Sequence, residues 1–201
     1  MRAFWKKDGV VCLKLKENLY TLAQMVDESA YMRFYAISNH EDVWGKIDLN
    51  TVAPLFCVSV GNALIQHLGV RRVPDKEVIP SHAPFERYFI KPNINYEGPF
   101  VYLGGKLIDK GENAQEDMTR APVKISDLSV SKHLDVIHQH ELTPMWGDKD
   151  SAARLIHFFE TGENFNGLKE AVFPELEKID HHVNRDTETY RAIKKIYATK
   201  P

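Results

Sequence analysis

The 201-residue sequence predicts an α+β protein. Apolar residues in the N-terminal part recur with the period of two that is typical of strands, and the spacing lengthens to about 3.6 residues in the last third, as in helices. Strands followed by helices indicate an α+β rather than an alternating α/β fold. We therefore expect a β-rich core domain over residues 1–110, with a twisted, partly barrel-like antiparallel sheet. Residues 111–201 are expected to form a helical extension packed on it, or to continue the same domain.

The N-terminal strands are predicted from alternation and from the turn residues between them. Glu17 and Asn18 supply a two-residue turn, which makes the first two strands a hairpin. The third predicted strand is rich in aromatic residues, which suit a pleated surface, and the fourth starts after Pro54. The predicted strands are residues 9–16, 19–26, 31–37 and 52–60.

A short helix and a proline-rich connection follow these strands. Asn62 is placed to cap the helix and Gly69 to end it. Residues 74–99 contain five prolines and are expected to wrap over the surface of the sheet, with residues 85–90 as their one strand.

A second hairpin is predicted over residues 100–108. The glycine pair Gly104 and Gly105 is a turn signal between two apolar runs. Residues 109–122 are polar, and we expect a mobile loop there.

Three helices are predicted in the last third. Ser151 is placed to cap the first of them, which ends at Gly162. Pro174 lies within the second helix and is expected to kink it or to delay its start. The inward residues of the second helix are Leu168, Val172, Leu176 and Ile179, and those of the third are Tyr190, Ile193 and Tyr197.

Composition excludes several classes of protein. The chain has 26 Lys plus Arg and 28 Asp plus Glu, a formal net charge of -2, which argues against general nucleic-acid binding. Apolar residues make up 43% and charged residues 27%, as in soluble globular chains. Cys12 and Cys57 lie in apolar runs and are expected to be buried thiols. The absence of a leader-like N-terminus and of an apolar run long enough to span a bilayer predicts a cytosolic protein.

Familiar catalytic and phosphate-binding motifs are absent from the sequence, and we expect no cofactor. One histidine cluster has a spacing that suits metal ligation, because His138 and His140 on a strand would point to the same face. The cluster comprises His133, His138, His140 and Glu141, with His157, His181 or His182 as a further ligand. The alternative is that these histidines are ordinary surface or half-buried residues.

A local excess of negative charge is the most informative charge feature. Residues 141–188 contain eleven acidic and five basic residues in a chain that is nearly neutral. This stretch is either an ordinary solvated helical face or an acidic docking surface for a basic partner. The contact residues predicted from it are Glu160, Glu163, Glu170, Glu175, Glu177 and Asp180. The polar loop over residues 109–120 is the alternative contact surface.

The N-terminal segments resemble a known family. The matching segments are residues 9–15, 19–26, 31–37, 55–60 and 63–74, which include Leu68-Gly69-Val70-Arg71-Arg72. Over about residues 5–95 they are similar to the immunity protein 26 family of bacterial polymorphic toxin and contact-dependent inhibition systems. Asp8-Gly9 inverts the order of the glycine and aspartate that often precede the first strand of that family.

The resemblance implies a small cytosolic antitoxin that binds one cognate toxin domain one-to-one and blocks it sterically. Such toxins are commonly nucleases, which are basic because they bind phosphate backbones. Two other functions stay open: a non-catalytic regulatory module that binds some other protein, and a metal-dependent hydrolase built on the histidine cluster.

Overall fold

A computed structural model describes residues 5–26, 30–95, 101–112 and 117–198. The strands of these ranges are β1 (Val10–Lys16), β2 (Leu19–Met25), β3 (Tyr31–Asn39), β4 (Ile47–Asp48), β5 (Pro54–Ser59), β6 (Gly69–Val73), β7 (Val78–Ile79), β8 (Tyr88–Asn95), β9 (Val101–Asp109) and β10 (Val123–Leu128). The helices are α1 (Asn62–Leu68), α2 (Val130–Gln139), α3 (Asp148–Thr161), α4 (Gly167–Val172), α5 (Leu176–Ile179) and α6 (Glu188–Ala198). The predicted α+β class is confirmed, with most helices in the C-terminal third.

The chain folds into two compact units that interleave in sequence. Unit 1 comprises Met1–Pro84 and Met145–Gly162, and unit 2 comprises Phe85–Pro144 and Glu163–Pro201. These units do not follow the predicted division at residue 110, because α3 belongs to unit 1 whereas β8 and β9 belong to unit 2.

Unit 1 is built on a five-stranded antiparallel sheet with the order β5-β3-β2-β1-β6. Its outermost strands, β5 and β6, do not pair with each other, so the sheet is open and does not close into a barrel. The predicted hairpin is confirmed, since β1 and β2 pair from Val10↔Gln24 to Lys16↔Leu19. Asn18 in its turn has a φ of 55°, a left-handed conformation that asparagine tolerates better than most residues.

Apolar residues cover both faces of this sheet. Val11 and Leu13 of β1 point into one core, which also contains Leu155 of α3. Cys12 points the other way, into a core that contains Trp44. Burial on both faces explains why β1 begins with a continuous apolar run instead of a strict alternation.

The two thiols are free and buried, as the sequence predicts. Burial, reinforced by a hydrogen bond to Asp42, raises the pKa of Cys12 to about 12. Since the thiolate is the reactive form of cysteine, this raised pKa together with burial disfavours reaction at Cys12 in the folded protein.

A buried polar network holds the proline-rich chain that follows β7. The Arg33 side chain is 2% exposed and donates hydrogen bonds of 3.1 and 2.7 Å to the carbonyl oxygens of Ala83 and Pro84. Gln24 donates to the carbonyl of Ser81 and accepts from its backbone N–H. These bonds compensate the desolvation of the buried side chains and fix this segment on β2 and β3.

The helices of unit 1 begin without the side-chain caps predicted from the sequence. The capping position of α1 is Gly61, and Asn62 is already the first residue of the helix. The capping position of α3 is Gly147, whose N–H donates to the Asp150 carboxylate at 3.1 Å, and Ser151 is buried within the helix. The predicted end of α3 at Gly162 is confirmed by its left-handed φ of 80°.

Unit 2 contains a three-stranded antiparallel sheet with the order β10-β9-β8. β9 runs through Gly104 and Gly105 without turning, so the predicted hairpin is wrong; Phe100, its first residue, lies outside the described residues. Gly104 adopts a φ of 71° there. The expectation for residues 74–99 also needs correction, because β7 and β8 lie within that connection and β8 begins at Tyr88 rather than at Phe85.

The helices of unit 2 pack against this sheet through one apolar core. Buried residues of α2, α4 and α5 belong to this core, and Tyr197 of α6 packs against it. Asn166 caps α4 by accepting hydrogen bonds from the backbone N–H groups of Leu168 and Lys169. The interruption predicted at Pro174 is confirmed, since α4 ends before it and α5 begins after it. The third predicted helix is α6, with Tyr190 and Ile193 buried.

Candidate functional site

A groove in unit 2 is the candidate binding site. It has a volume of about 560 Å³ and is lined by three segments: residues 102–104 of β9, residues 127–131 where β10 leads into α2, and residues 173–175 with Ile179 around α5. Its size falls within the range of sites that accommodate a small ligand or an anchoring side chain of a partner.

Local sequence explains why these segments leave a groove. The register between β9 and β10 ends at the Gly105↔Leu128 pair, so β9 extends beyond the last paired residue of β10. Pro174 lies in the interruption between α4 and the short helix α5. The groove therefore lies between the end of β9 that extends beyond β10 and the interruption between α4 and α5.

The groove combines exposed apolar surface with negative charge. Leu103 is 60% exposed, and Ile179, which the sequence predicts to face inward, is 43% exposed, so that prediction is wrong. Phe173, which lines the same groove, is buried. Among the described lining residues, Asp127 and Glu175 carry charge, and both are acidic and exposed. The groove therefore offers a partner both apolar and acidic contacts, which makes it the candidate contact surface of unit 2.

The predicted contact residues around α5 lie close to this groove in the chain. Glu175 lines the groove, and Glu177, which lies 3.9 Å from the Lys194 ammonium, is exposed on α5. Asp180 follows α5, is half-buried and pairs with the Nε2 atom of His138 at 3.3 Å. These three acidic residues thus fall on one short segment, of which Glu175 lines the groove.

Glu170 has a different environment and is not part of this surface. Its side chain is 2% exposed and accepts hydrogen bonds of 3.1 Å from Arg185, from the Tyr190 hydroxyl and from Lys194. Burial, together with the neighbouring Glu170 carboxylate, raises the pKa of Tyr190 to about 12. Glu170 stabilises the interior of unit 2 and is not exposed to a partner in this conformation.

The other two predicted contact residues also have internal partners. Glu163 accepts hydrogen bonds from the backbone N–H of Asn184 through both carboxylate oxygens. Glu160 belongs to unit 1, where it forms an ion pair with Lys16 of β1. Glu163, Glu170 and Glu177 are spaced seven residues apart, but they lie before α4, in α4 and in α5, so they do not share the face of one helix.

The alternative contact surface, residues 109–120, is described only in part. Residues 113–116 of the predicted mobile loop lie outside the described residues. At its start, the Arg87 guanidinium donates two hydrogen bonds of 2.7 Å to Asp109 and holds the pKa of that carboxyl well below its usual range. Lys124 lies 3.3 Å from the same carboxylate.

The histidine cluster does not have the strand geometry on which the metal prediction depends. His133 and His138 belong to α2, and His140 follows the last residue of that helix. Burial lowers the pKa of His140, and Glu141 accepts a hydrogen bond from Asn166. Within the described residues, no group of three or more histidine, cysteine, aspartate or glutamate side chains is placed to hold a metal ion.

The β9 side of the groove is not predicted from the sequence. The glycine pair favours a turn, which places Tyr102 and Leu103 at the end of a hairpin arm, whereas in the structure they lie in a continuing strand. The sequence contains one signal for the strand, because apolar residues on both sides of the glycine pair are compatible with an uninterrupted strand as well as with a hairpin.

Comparisons with known proteins give one match. A family model described as "Domain of unknown function (DUF8309)" matches residues 1–178, most of the chain. Neither the curated proteins nor the solved structures contain a match to the sequence. In the described part of the chain, no helix has the length and apolar composition that crossing a bilayer requires.

Proposed function

The chain belongs to the DUF8309 family, and we propose that it is an immunity protein, an antitoxin that binds one cognate toxin domain and blocks it. The toxin is a basic nuclease in this proposal, and the complex forms one-to-one in the cytosol. The resemblance of residues 5–95 to the immunity protein 26 family supports this function. The structural observation that carries it is the acidic, partly apolar surface around α5, where Glu175 lines the groove with exposed Leu103 and Ile179, and Glu177 is exposed on the helix.

The chemistry of a nuclease explains why such a surface suits an inhibitor. A nuclease exposes lysine and arginine side chains that bind phosphate groups. Exposed carboxylates on α5 can pair with those cations, and complementary charge speeds the encounter of the two proteins. Apolar contacts of the kind offered by Leu103 and Ile179 then add to the affinity by removing apolar surface from water.

The decisive experiment measures binding to the toxin domain encoded beside the gene, by calorimetry or surface plasmon resonance. We expect nanomolar or tighter affinity and loss of the toxin's nuclease activity when the two proteins are mixed at equal concentrations. Micromolar or absent binding to that domain would contradict the proposal.

Charge-reversal variants locate the contact. The double variant Glu175→Lys, Glu177→Lys is expected to weaken toxin binding at least about ten-fold, because it opposes like charges across the interface. Glu188→Lys is the matched control, since Glu188 is an exposed acidic residue at the start of α6. Equal affinity for both variants and the wild type would exclude α5 from the interface without excluding the antitoxin function.

A further inference from the structure

We propose that the groove of unit 2 binds an apolar side chain of the toxin together with a lysine or arginine of the same extended segment. This inference rests on the proposed function and goes beyond it, because it names the chemistry that the toxin must present. The groove is then an anchoring point of the interface, in addition to the acidic surface around α5.

The apolar part of the inference rests on exposure within a concave site. Leu103 on one side of the groove and Ile179 on the other are 60% and 43% exposed, and buried Phe173 and Leu128 also line it. An aliphatic or aromatic side chain inserted between them would remove apolar surface from water on both sides, at about 25 cal/mol per Å². A volume of about 560 Å³ leaves room for such a side chain and for part of the chain that carries it.

The basic part of the inference rests on charge complementarity. Asp127 lies on the β10 side of the groove and Glu175 on the α5 side, and no lysine or arginine is among the described residues that line it. An acidic segment would meet two like charges, and an uncharged apolar segment would leave both carboxylates without a counterion as they lose water. A segment that contains one apolar residue next to a lysine or arginine fits both the apolar lining and the acidic residues of the groove.

A peptide titration tests the groove without the toxin. The probe is the tetrapeptide acetyl-Lys-Leu-Phe-Arg-amide, added to the ¹⁵N-labelled full-length protein. We expect concentration-dependent amide shifts that cluster at Leu103, Gly104, Ser129 and Ile179. The matched peptide acetyl-Glu-Leu-Phe-Glu-amide is expected to give none. Shifts that are absent, that lie elsewhere or that are equal for both peptides would overturn the inference. So would shifts that depend on protein concentration alone, because a second copy of the chain would then occupy the groove.

Matched variants test the same groove with the toxin domain. Leu103→Ser is expected to weaken toxin binding at least about ten-fold. Val123→Ser is its control and is expected to change affinity less than about three-fold, since Val123 is 47% exposed on β10 and does not line the groove. Wild-type affinity of the Leu103 variant would overturn the groove assignment and leave the antitoxin function intact. Absence of toxin binding by the wild-type protein would instead contradict the proposed function, and the peptide titration would still decide the chemistry of the groove.

Discussion

At the scale of single residues, the same side chain has different roles in different surroundings. Glu170 and Glu175 are five residues apart and belong to one acidic stretch of sequence. Glu170 is 2% exposed and bonded to Arg185, Tyr190 and Lys194, whereas Glu175 is exposed at the groove. A count of charges along the chain therefore overstates the acidic surface, because part of the charge is neutralised inside unit 2.

The first prediction concerns the stability that Glu170 supplies. Glu170→Gln is expected to lower the free energy of unfolding by about 1–3 kcal/mol, because charged hydrogen bonds to three partners are weakened at a buried position. Arg185 and Lys194 keep some access to water, with side chains 26% and 36% exposed, which limits the cost. Urea unfolding followed by circular dichroism measures the change.

Glu175→Gln is the control for this measurement. It removes an exposed carboxylate of the same stretch, and we expect a change within about 0.5 kcal/mol. Equal effects of the two substitutions would show that the buried network around Glu170 does not stabilise the protein.

The second prediction concerns the pH dependence that Asp109 introduces. Its pKa is lowered in the folded state, chiefly by the hydrogen bonds from Arg87, so the folded protein favours the charged carboxylate more than the unfolded chain does. The resulting stability is present above the unfolded pKa of about 3.9 and is lost as the pH falls toward the folded value. Asp109→Asn is therefore expected to unfold at a lower urea concentration than the wild type at pH 7.

The difference in the urea midpoint of unfolding between Asp109→Asn and the wild type should narrow as the pH is lowered below about 4. Asp135→Asn on α2, an exposed position in the same unit, is expected to follow the wild type over the whole range. A constant difference between Asp109→Asn and the wild type at all pH values would mean that charge is not the source of the effect.

At the scale of elements, local signals are reliable where few distant contacts compete with them. The turn at Glu17 and Asn18 and the interruption at Pro174 follow from the conformational limits of the residues themselves, and both are confirmed. The glycine pair in β9 also favours a turn locally, but β9 pairs with β8 on both sides of it, at Gly105↔Pro92 and at Tyr102↔Ile94, with a register shift between these two pairs. Pairing on both sides of the glycine pair outweighs the turn preference of two residues, and the irregular register accommodates the positive φ of Gly104 within the strand.

The third prediction concerns the backbone of β9 at Gly104. Its φ of 71° is a conformation that residues with a Cβ rarely adopt, so Gly104→Ala is expected to lower the free energy of unfolding by about 1–2 kcal/mol. Gly45→Ala is the control, because an added Cβ there meets nothing within 4 Å and the residue has no positive φ. Gly45→Ala should leave the free energy of unfolding unchanged or raise it by up to about 1 kcal/mol. Thermal and urea unfolding of both variants give the comparison, and a harmless Gly104→Ala would argue against the continuous β9 at this point.

The candidate site could be predicted from the sequence only in part, because distant contacts decide much of its shape. The acidic character of residues 175–180 is visible in the sequence, and Glu175 does line the groove. The groove itself depends on where β10 stops pairing with β9, which is set by contacts between residues more than twenty positions apart. The exposure of Leu103 and the burial of Glu170 follow from that packing and have no local signature.

At the scale of the whole molecule, the family match and the folded unit end at different places. The match stops at residue 178, whereas unit 2 continues through α6. α6 contributes buried Tyr190 and Ile193, and two of its residues bond to Glu170. An added Cβ on Gly167 would lie 2.4 Å from the Ile193 side chain, so α4 and α6 approach as closely as a glycine allows. The C-terminal helix is therefore part of the core of unit 2.

The last prediction follows from this packing and concerns a chain that ends after residue 187. Removal of α6 exposes the surface that Tyr190 and Ile193 cover and leaves the buried Glu170 carboxylate with Arg185 but without its other two bonds. We expect the free energy of unfolding to fall by at least about 3 kcal/mol, which would be seen as a lower urea midpoint and as faster proteolysis within unit 2. Arg191→Ala, an exposed position on the same helix, should match the wild type in both measurements. A synthetic peptide of residues 186–198, added to the shortened chain, should restore part of the stability, because the missing contacts are made by side chains of that helix. Wild-type stability of the shortened chain would show that residues up to 187 suffice for the fold and that α6 serves a different purpose.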